Sequence, residues 1–119
     1  MSRLKALNLA LRALMELGII AALGYWGYQT GGSIVSKLFL SIFAPALVFG
    51  FWGLVDFRRA GSVAEPLRLT QELVISAVAA LAWYLTGAPI LGSMLALLSL
   101  VHHALVYLSG ETLLKREVR

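Results

Sequence analysis

Two arginine–glutamate pairs lie inside otherwise apolar stretches of this sequence. Arg12 and Glu16 belong to LRALMEL, and Arg68 and Glu72 belong to LRLTQEL. Residues four apart are neighbours on a helix, so each arginine can pair with its own glutamate. Ionisable residues inside a membrane-spanning helix are costly and often mark a solute pathway or binding site. The alternative is that each arginine extends to the membrane edge and the pairs only fix helix packing.

Two adjacent histidines, His102 and His103, form the second group of residues that could carry chemistry. An unperturbed imidazole titrates at about pH 6.5, so either ring could carry a proton or respond to pH. His103 continues a helical stripe of small and polar residues and points inward, whereas His102 lies about 100° further around the helix. The plainer interpretation is an interior histidine that forms a hydrogen bond across a helix bundle.

No metal or cofactor site is predicted from these residues. A metal held by Glu16, Glu72 and His103 would be the best arrangement, but the Glu-x-x-His signature of helical-bundle metal sites is absent. Adjacent histidines diverge on a helix and cannot both bind one haem iron. The absence of cysteine excludes thiolate ligands, disulfides and a cysteine nucleophile. We therefore expect no cofactor and no enzyme activity.

The composition is that of a protein embedded in lipid. Of 119 residues, 60% are hydrophobic and 13% are charged, with a mean hydropathy of +0.84. A soluble domain carries about 25% charged residues, and one of this size cannot hide the apolar excess in its core. The net charge is +4, but the basic residues form no stripe with interleaved aromatics, so nucleic acid is not an expected partner.

Four apolar segments predict an all-α integral membrane protein with four transmembrane helices. Turn-forming residues separate the segments, which are roughly 7–28, 38–55, 67–86 and 90–109. The second and fourth segments are conventional spans, close to the about 20 residues that cross a bilayer. The first and third reach this length only by drawing Glu16 and Glu72 into the membrane. Aromatic residues near the segment ends are interpreted as an interfacial belt: Trp26, Tyr28, Trp52, Trp83 and Tyr84.

The distribution of basic residues orients the four segments. Nine of the ten lysines and arginines fall on one side of a four-span layout, and only Lys37 falls on the other. By the positive-inside rule, both termini and the 56–66 loop are predicted to be cytoplasmic. We expect the first segment to be a retained span rather than a cleaved signal peptide, because Arg12 and Glu16 would interrupt the apolar region of such a signal. The nine residues are Arg3, Lys5, Arg12, Arg58, Arg59, Arg68, Lys115, Arg116 and Arg119.

The two halves of the chain resemble each other. At an offset of 56 residues, ten positions are identical without a gap, including both arginine–glutamate pairs. We interpret residues 1–119 as a single membrane domain of two repeated helical hairpins, about 7–55 and 67–109, followed by a cytoplasmic tail at 110–119. Each hairpin has two spans, so the repeat is of the parallel kind and places both charged pairs at equal depth.

Several stretches resemble the YrdB-like family of small bacterial membrane proteins. They are NLALRALMELGIIAALGYWGY at 8–28, Ala44-Pro45 together with Trp52, and LRLTQELV at 67–74. The resemblance covers nearly the whole chain. It implies a protein of the bacterial cytoplasmic (inner) membrane, of uncharacterised function, and it supplies no catalytic residues to carry over.

Two functions fit these patterns. In the first, the protein is a small transporter or permeation protein whose polar layer opens toward the cytoplasm and binds a small solute or ion. Four short helices leave little room for a pathway, so this function predicts a homodimer. In the second, it is a structural or accessory protein whose charged pairs fix helices or bind a membrane partner. The polar layer consists of Arg12, Glu16, Arg68, Glu72, His103 and His102.

Overall fold

A computed structural model describes residues 3–113, and within them the chain forms four α-helices, a short 3-10 helix and no strand. This confirms the predicted all-α fold. Lys115, Arg116, Arg119 and most of the predicted 110–119 tail lie outside the described residues. The helices are α1 (Arg3–Thr30), α2 (Ile34–Leu54), α3 (Ala64–Leu85) and α4 (Pro89–Leu108), with the 3-10 helix at Arg58–Val63.

Helix α2 begins earlier than its apolar segment, at Ile34 rather than near residue 38. Ser33 is its N-cap, because the Ser33 hydroxyl oxygen accepts a hydrogen bond from the backbone N–H of Ser36 at 3.2 Å. The apolar segment was interrupted by Lys37, but a charged side chain does not end a helix. The cap therefore decides where α2 starts.

Three of the helices, α1, α2 and α4, are long and apolar enough to cross a membrane. Helix α3 falls short because polar and charged residues occupy its first turns, and its uncharged stretch from 73 to 85 is only about 20 Å long as a helix. That α3 also crosses, as the four-span layout requires, stays a prediction.

Two glycines end the helices of the second hairpin. Gly87 has a φ of 88° and Gly110 a φ of 80°, a region that favours glycine. After α3, the N–H of Ala88 donates to the carbonyl of Trp83 at 2.8 Å, and the N–H of Glu111 makes the equivalent bond after α4. Both are Schellman ends, which satisfy the last helical carbonyls and reverse the chain.

The helices form two antiparallel hairpins, in which α1 packs on α2 and α3 packs on α4. Helix α1 also contacts α3 and α4, while α2 barely touches α3. We call the end where α1 and α3 begin the proximal end, and the end with the turns at 31–33 and 86–88 the distal end. The distal half is filled by an apolar core that includes Ile19, Ala22, Leu23, Ala79, Ala82 and Leu95.

The segment between α2 and α3 carries its own charge pair at the proximal end. The Asp56 carboxylate accepts hydrogen bonds from the Arg58 backbone N–H and from its guanidinium Nε, each at 3.0 Å. These bonds hold the pKa of Asp56 below its usual value. Asp56 therefore stays ionised and offsets part of the positive charge of this loop.

Candidate functional site

Glu72 on α3 is the centre of a buried charged cluster. Its side chain has no exposed surface, and its two oxygens face five nitrogen atoms from side chains on all four helices. Oε1 faces Nη1 of Arg12 at 3.2 Å and Nε2 of His103 at 2.9 Å. Oε2 accepts from Nη2 of Arg12 at 3.3 Å, Nε of Arg68 at 2.9 Å and Nε1 of Trp52 at 3.1 Å. A carboxylate without water needs such donors, because an unpaired buried charge is very costly.

Arg12 joins the two repeated motifs. Its guanidinium binds Glu72 with two nitrogens, and its Nε donates to Glu16 on its own helix at 3.0 Å. It also lies over the ring of Trp52, 5.1 Å from the centroid. Arginine suits this position because its planar fork fits a carboxylate on two atoms at once. Thus α1 is joined to α3 by charge as well as by apolar packing.

The two predicted i,i+4 pairs both form, but their surroundings differ. Arg12 pairs with Glu16 at 3.0 Å, and Arg68 pairs with Glu72 at 2.9 Å. Glu72 takes both arginines, whereas the Glu16 side chain is 39% exposed and bonded to Arg12 alone among its hydrogen-bond partners in residues 3–113. The layer is therefore built around one carboxylate rather than two equivalent ones.

Arg68 and its neighbour Gln71 also hold the end of α2. Nη1 of Arg68 donates to the backbone carbonyl of Trp52 at 3.0 Å, and Nε2 of Gln71 donates to that of Phe51 at 3.0 Å. The last carbonyls of a helix lack partners within the helix and carry partial negative charge. The same arginine thus caps α2 and binds Glu72, which places Trp52 beside the cluster.

Both histidines are buried, at 2% exposure for His102 and 4% for His103. The Nδ1 atom of His103 lies 2.7 Å from the backbone carbonyl oxygen of Ser99 on the preceding turn. The Nδ1 atom of His102 lies 2.7 Å from Oδ1 of Asn8, and its Nε2 lies 3.4 Å from Nη1 of Arg12. His103 therefore faces α3, while His102 faces α1.

Polar contacts continue from the cluster toward the middle of the bundle. The hydroxyl of Ser99 donates to that of Ser76 at 2.7 Å, and the Ser76 hydroxyl contacts the sulfur of Met15 at 3.9 Å. Beyond Met15 the apolar core begins. Every buried side-chain nitrogen and oxygen in the described chain has a hydrogen-bond partner. The polar layer is thus a continuous, fully bonded network in the proximal half.

A cavity of about 410 Å³ reaches this network from the proximal end. The segment after α4 forms one wall and is held by Glu65, which accepts from the Tyr107 hydroxyl and the Leu113 backbone N–H, each at 2.6 Å. Across the rim, Nζ of Lys5 lies 3.8 Å from a Glu111 oxygen. The lining residues are Lys5, Asn8, Leu9, Arg12, His102, Val106, Glu111, Thr112 and Leu113.

The ligand atoms of Glu72, His102 and His103 lie within 4.8 Å of one another, which is close enough for one metal ion to contact all three. Their electrostatic surroundings do not fit a divalent cation. Arg12 contacts both Glu72 and His102, and Arg68 contacts Glu72. A cation bound there would have to displace or approach two guanidinium groups.

The structure brings together all six residues of the predicted layer and adds two that sequence reasoning missed, Trp52 and Gln71. The interpretation of Trp52 as a belt residue is wrong, because its ring is 4% exposed and donates to Glu72. One signal was present: in the proximal half of α2, Trp52 is the only side chain with a hydrogen-bond donor. A buried carboxylate that faces this half of α2 can therefore accept a side-chain hydrogen bond from it only through Trp52.

These features define an all-helical protein with helices suited to a membrane and a buried charged cluster. Residues 10–100 match the family described as protein of unknown function DUF2568, and the chain belongs to that family. No curated protein matches the chain. No solved structure matches it.

Proposed function

We propose that this protein is a small transporter or permeation protein that binds a small anion in the proximal cavity, between Lys5 and Arg12. The observation that supports this proposal is the cavity itself, which ends on Arg12 and His102 of the charged network. Intramembrane charges that border a cavity commonly form a solute site. Of the lining side chains, two are cationic and one, Glu111, is anionic, which favours an anion over a cation.

Transport would require a second arrangement of the helices or a second copy of the chain. The apolar core fills the distal half of the bundle and separates the cavity from the distal end. We therefore propose that the transporting species is a homodimer in the lipid bilayer. Cross-linking in membranes should trap a dimer, and a strictly monomeric protein would count against this part of the proposal.

A specific observation also favours the second candidate, a structural or accessory membrane protein. Glu72 is saturated by donors and the network leaves no buried polar side-chain atom unbonded in residues 3–113. Such a network can fix helix packing without binding a solute. In that function the exposed apolar faces and Glu16 would contact a protein partner.

A thermal-shift screen of the purified protein in detergent, with panels of small anions, cations and amphiphiles, separates the two functions. We expect at least one anion to raise the melting temperature of wild type, with the shift lost in Lys5→Gln. Lys37→Gln is the matched control, because it removes the same charge at the distal end and should keep the shift. Stabilisation by cations instead, or equal shifts in both variants, would overturn anion binding at this cavity. No stabilisation by any solute, together with co-purification of a membrane protein, would favour the accessory function.

The remaining parts of the proposal follow from the sequence. The YrdB-like resemblance implies a bacterial origin and supports a place in the inner membrane. The basic loop and tail support a multi-pass protein with both termini cytoplasmic. Four spans require that α3 crosses with Glu72 shielded inside the bundle. We propose no enzyme activity and no cofactor, since the Ser99 hydroxyl, although 3.3 Å from Nδ1 of His103, donates its hydrogen to Ser76 and not to that histidine.

A further inference from the structure

We infer that Glu72 and His103 together bind one exchangeable proton, so that the site takes H⁺ as a ligand in addition to a solute. The proton lies between Oε1 of Glu72 on α3 and Nε2 of His103 on α4, whose separation is 2.9 Å.

The Nδ1 atom of His103 must carry a hydrogen. It lies 2.7 Å from the backbone carbonyl oxygen of Ser99, which can only accept. The Ser99 hydroxyl, 3.3 Å from the same nitrogen, gives its own hydrogen to Ser76. Nδ1 is therefore the donor in this contact, and a neutral His103 would have no hydrogen left for Nε2.

The Nε2 atom of His103 faces Oε1 of Glu72. An ionised carboxylate has no hydrogen to donate, so this oxygen can also only accept. A bare Nε2 at 2.9 Å from Oε1 would oppose two lone pairs. One extra proton must therefore be shared by the pair. Four further hydrogen bonds reach Glu72 from Arg12, Arg68 and Trp52, and they favour its ionised form. The proton accordingly resides on His103, as an imidazolium.

His102 has the opposite state, although it is the adjacent residue. Nη1 of Arg12 can only donate, so Nε2 of His102 at 3.4 Å must be unprotonated. Its Nδ1 then carries the hydrogen and donates to Oδ1 of Asn8 at 2.7 Å. The site thus contains one neutral and one charged histidine, whose rings are 4.9 Å apart.

The proton sets both the charge and the packing of the site. The groups facing the pair are Arg12 of α1, Trp52 of α2, Arg68 of α3 and His102 of α4. With His103 protonated, three cations meet two carboxylates, Glu16 and Glu72, and the surplus positive charge attracts an anion. Loss of the proton removes that surplus and breaks the hydrogen bond between His103 of α4 and Glu72 of α3, one of several polar contacts between these helices. Coupling of proton to anion rests on the proposed function, whereas proton binding does not.

Nitrogen-15 NMR of histidine-labelled protein in detergent tests the inference directly. The chain has only two histidines, so the spectrum is simple and His102→Gln assigns it. At neutral pH we expect one ring with both nitrogens protonated, His103, and one neutral ring with hydrogen on Nδ1, His102. Two neutral rings, or protonation of His102 instead, would overturn the inference.

Matched variants identify the partner that holds the proton. Glu72→Gln should convert His103 to a neutral ring, while Glu16→Gln, the same change in the repeated motif, should leave it protonated. If Glu72→Gln does not fold, the wild-type spectrum still decides the question. Addition of Zn²⁺ should leave the nitrogen signals of both rings unchanged. A shift of both histidine signals on addition of the metal would mean that the site binds a metal ion and not a proton.

A pH titration completes the experiment. As the pH rises, loss of the second ring proton of His103 should coincide with a fall in melting temperature, and His103→Gln should lack that transition. A melting temperature that is unchanged while His103 deprotonates would overturn the role of the proton in packing. A solute screen without a stabilising anion would contradict the proposed function but leave the imidazolium result in place, so the two failures are distinguishable.

Discussion

At the scale of single residues, the environment of Glu72 and not the motif that contains it makes it important. Glu16 also has an arginine four residues before it and a leucine directly after it. Yet Glu72 is fully buried among donors from four helices, while Glu16 is partly exposed and bonded to one arginine. The same substitution at these two positions should therefore have very different effects.

We predict that Glu72→Gln lowers the free energy of unfolding by about 3–5 kcal/mol, because it leaves Arg12, Arg68 and His103 without a carboxylate. Glu16→Gln should cost less, about 1 kcal/mol, because it removes one hydrogen bond from an Arg12 guanidinium that keeps both of its bonds to Glu72. Unfolding of both variants in the same detergent, followed by circular dichroism, measures the difference. Equal losses would mean that the two glutamates occupy equivalent sites.

The sequence pointed to the ionisable residues of the cluster but not to Trp52, Gln71 or the contacts among them. An ionisable residue inside an apolar segment can be recognised from the sequence alone, because such residues are rare there. That Arg12 binds Glu72 as well as Glu16 depends on the rotation of α1 against α3, which no spacing along one helix determines. The position of Trp52 depends in the same way on how α2 meets α3.

At the scale of helices, the contact between α1 and α2 depends on a glycine. A Cβ atom built on Gly27 would lie 2.8 Å from the backbone nitrogen of Ser41 and closer still to the carbonyl group of Leu40. Both are main-chain atoms, which cannot turn aside as a flexible side chain can. Small residues allow such close approach of helices in lipid. By contrast, a Cβ atom built on Gly53 of α2 would have no other atom within 4 Å.

We predict that Gly27→Ala pushes α1 and α2 apart and lowers the free energy of unfolding by about 1–3 kcal/mol, the usual cost of overpacking. Gly53→Ala adds the same methyl group to a helix without a clash and should be neutral or slightly stabilising. Chemical unfolding in detergent compares the two. A neutral Gly27→Ala would show that the hairpin does not need this close approach.

The ends of the helices were predicted less well than their existence. Turn-forming residues located the distal turns correctly, because Gly87 and Ser33 act through local geometry. The proximal end of α2 is held by Arg68 and Gln71, which reach it from another helix. Contacts between distant segments leave no local signature, so the sequence could not show how this end is fixed.

At the scale of the whole molecule, the internal repeat predicts more symmetry than the bundle has. Shifting by 56 residues, the position equivalent to His103 in the first hairpin is Leu47, which is 60% exposed, and the position equivalent to Trp52 in the second is Leu108. Glu16 therefore has no histidine and no tryptophan to bind. The repeated motif is present twice, but its partners are present only once, and this difference produces a single central carboxylate.

The predicted four-span orientation depends on α3, the helix with the shortest apolar stretch. Two of its three charged residues, Arg68 and Glu72, face the other helices, since the Glu72 side chain is fully buried and the Arg68 side chain is largely covered. This removes most of the cost of placing them at depth, and it favours a crossing α3 with the distal turns on the outer side.

The chain has no cysteine, so single cysteines can report that orientation without further changes. We predict that Gly32→Cys and Ala88→Cys, in the two distal turns, react with a membrane-impermeant maleimide added outside intact cells, while Ser62→Cys in the 3-10 helix reacts only after the membrane is opened. The pair Ser62 and Ala88 is decisive, because these residues flank α3. Labelling of both from the same side would mean that α3 lies against the bundle without crossing, and the charged cluster would then border the membrane surface.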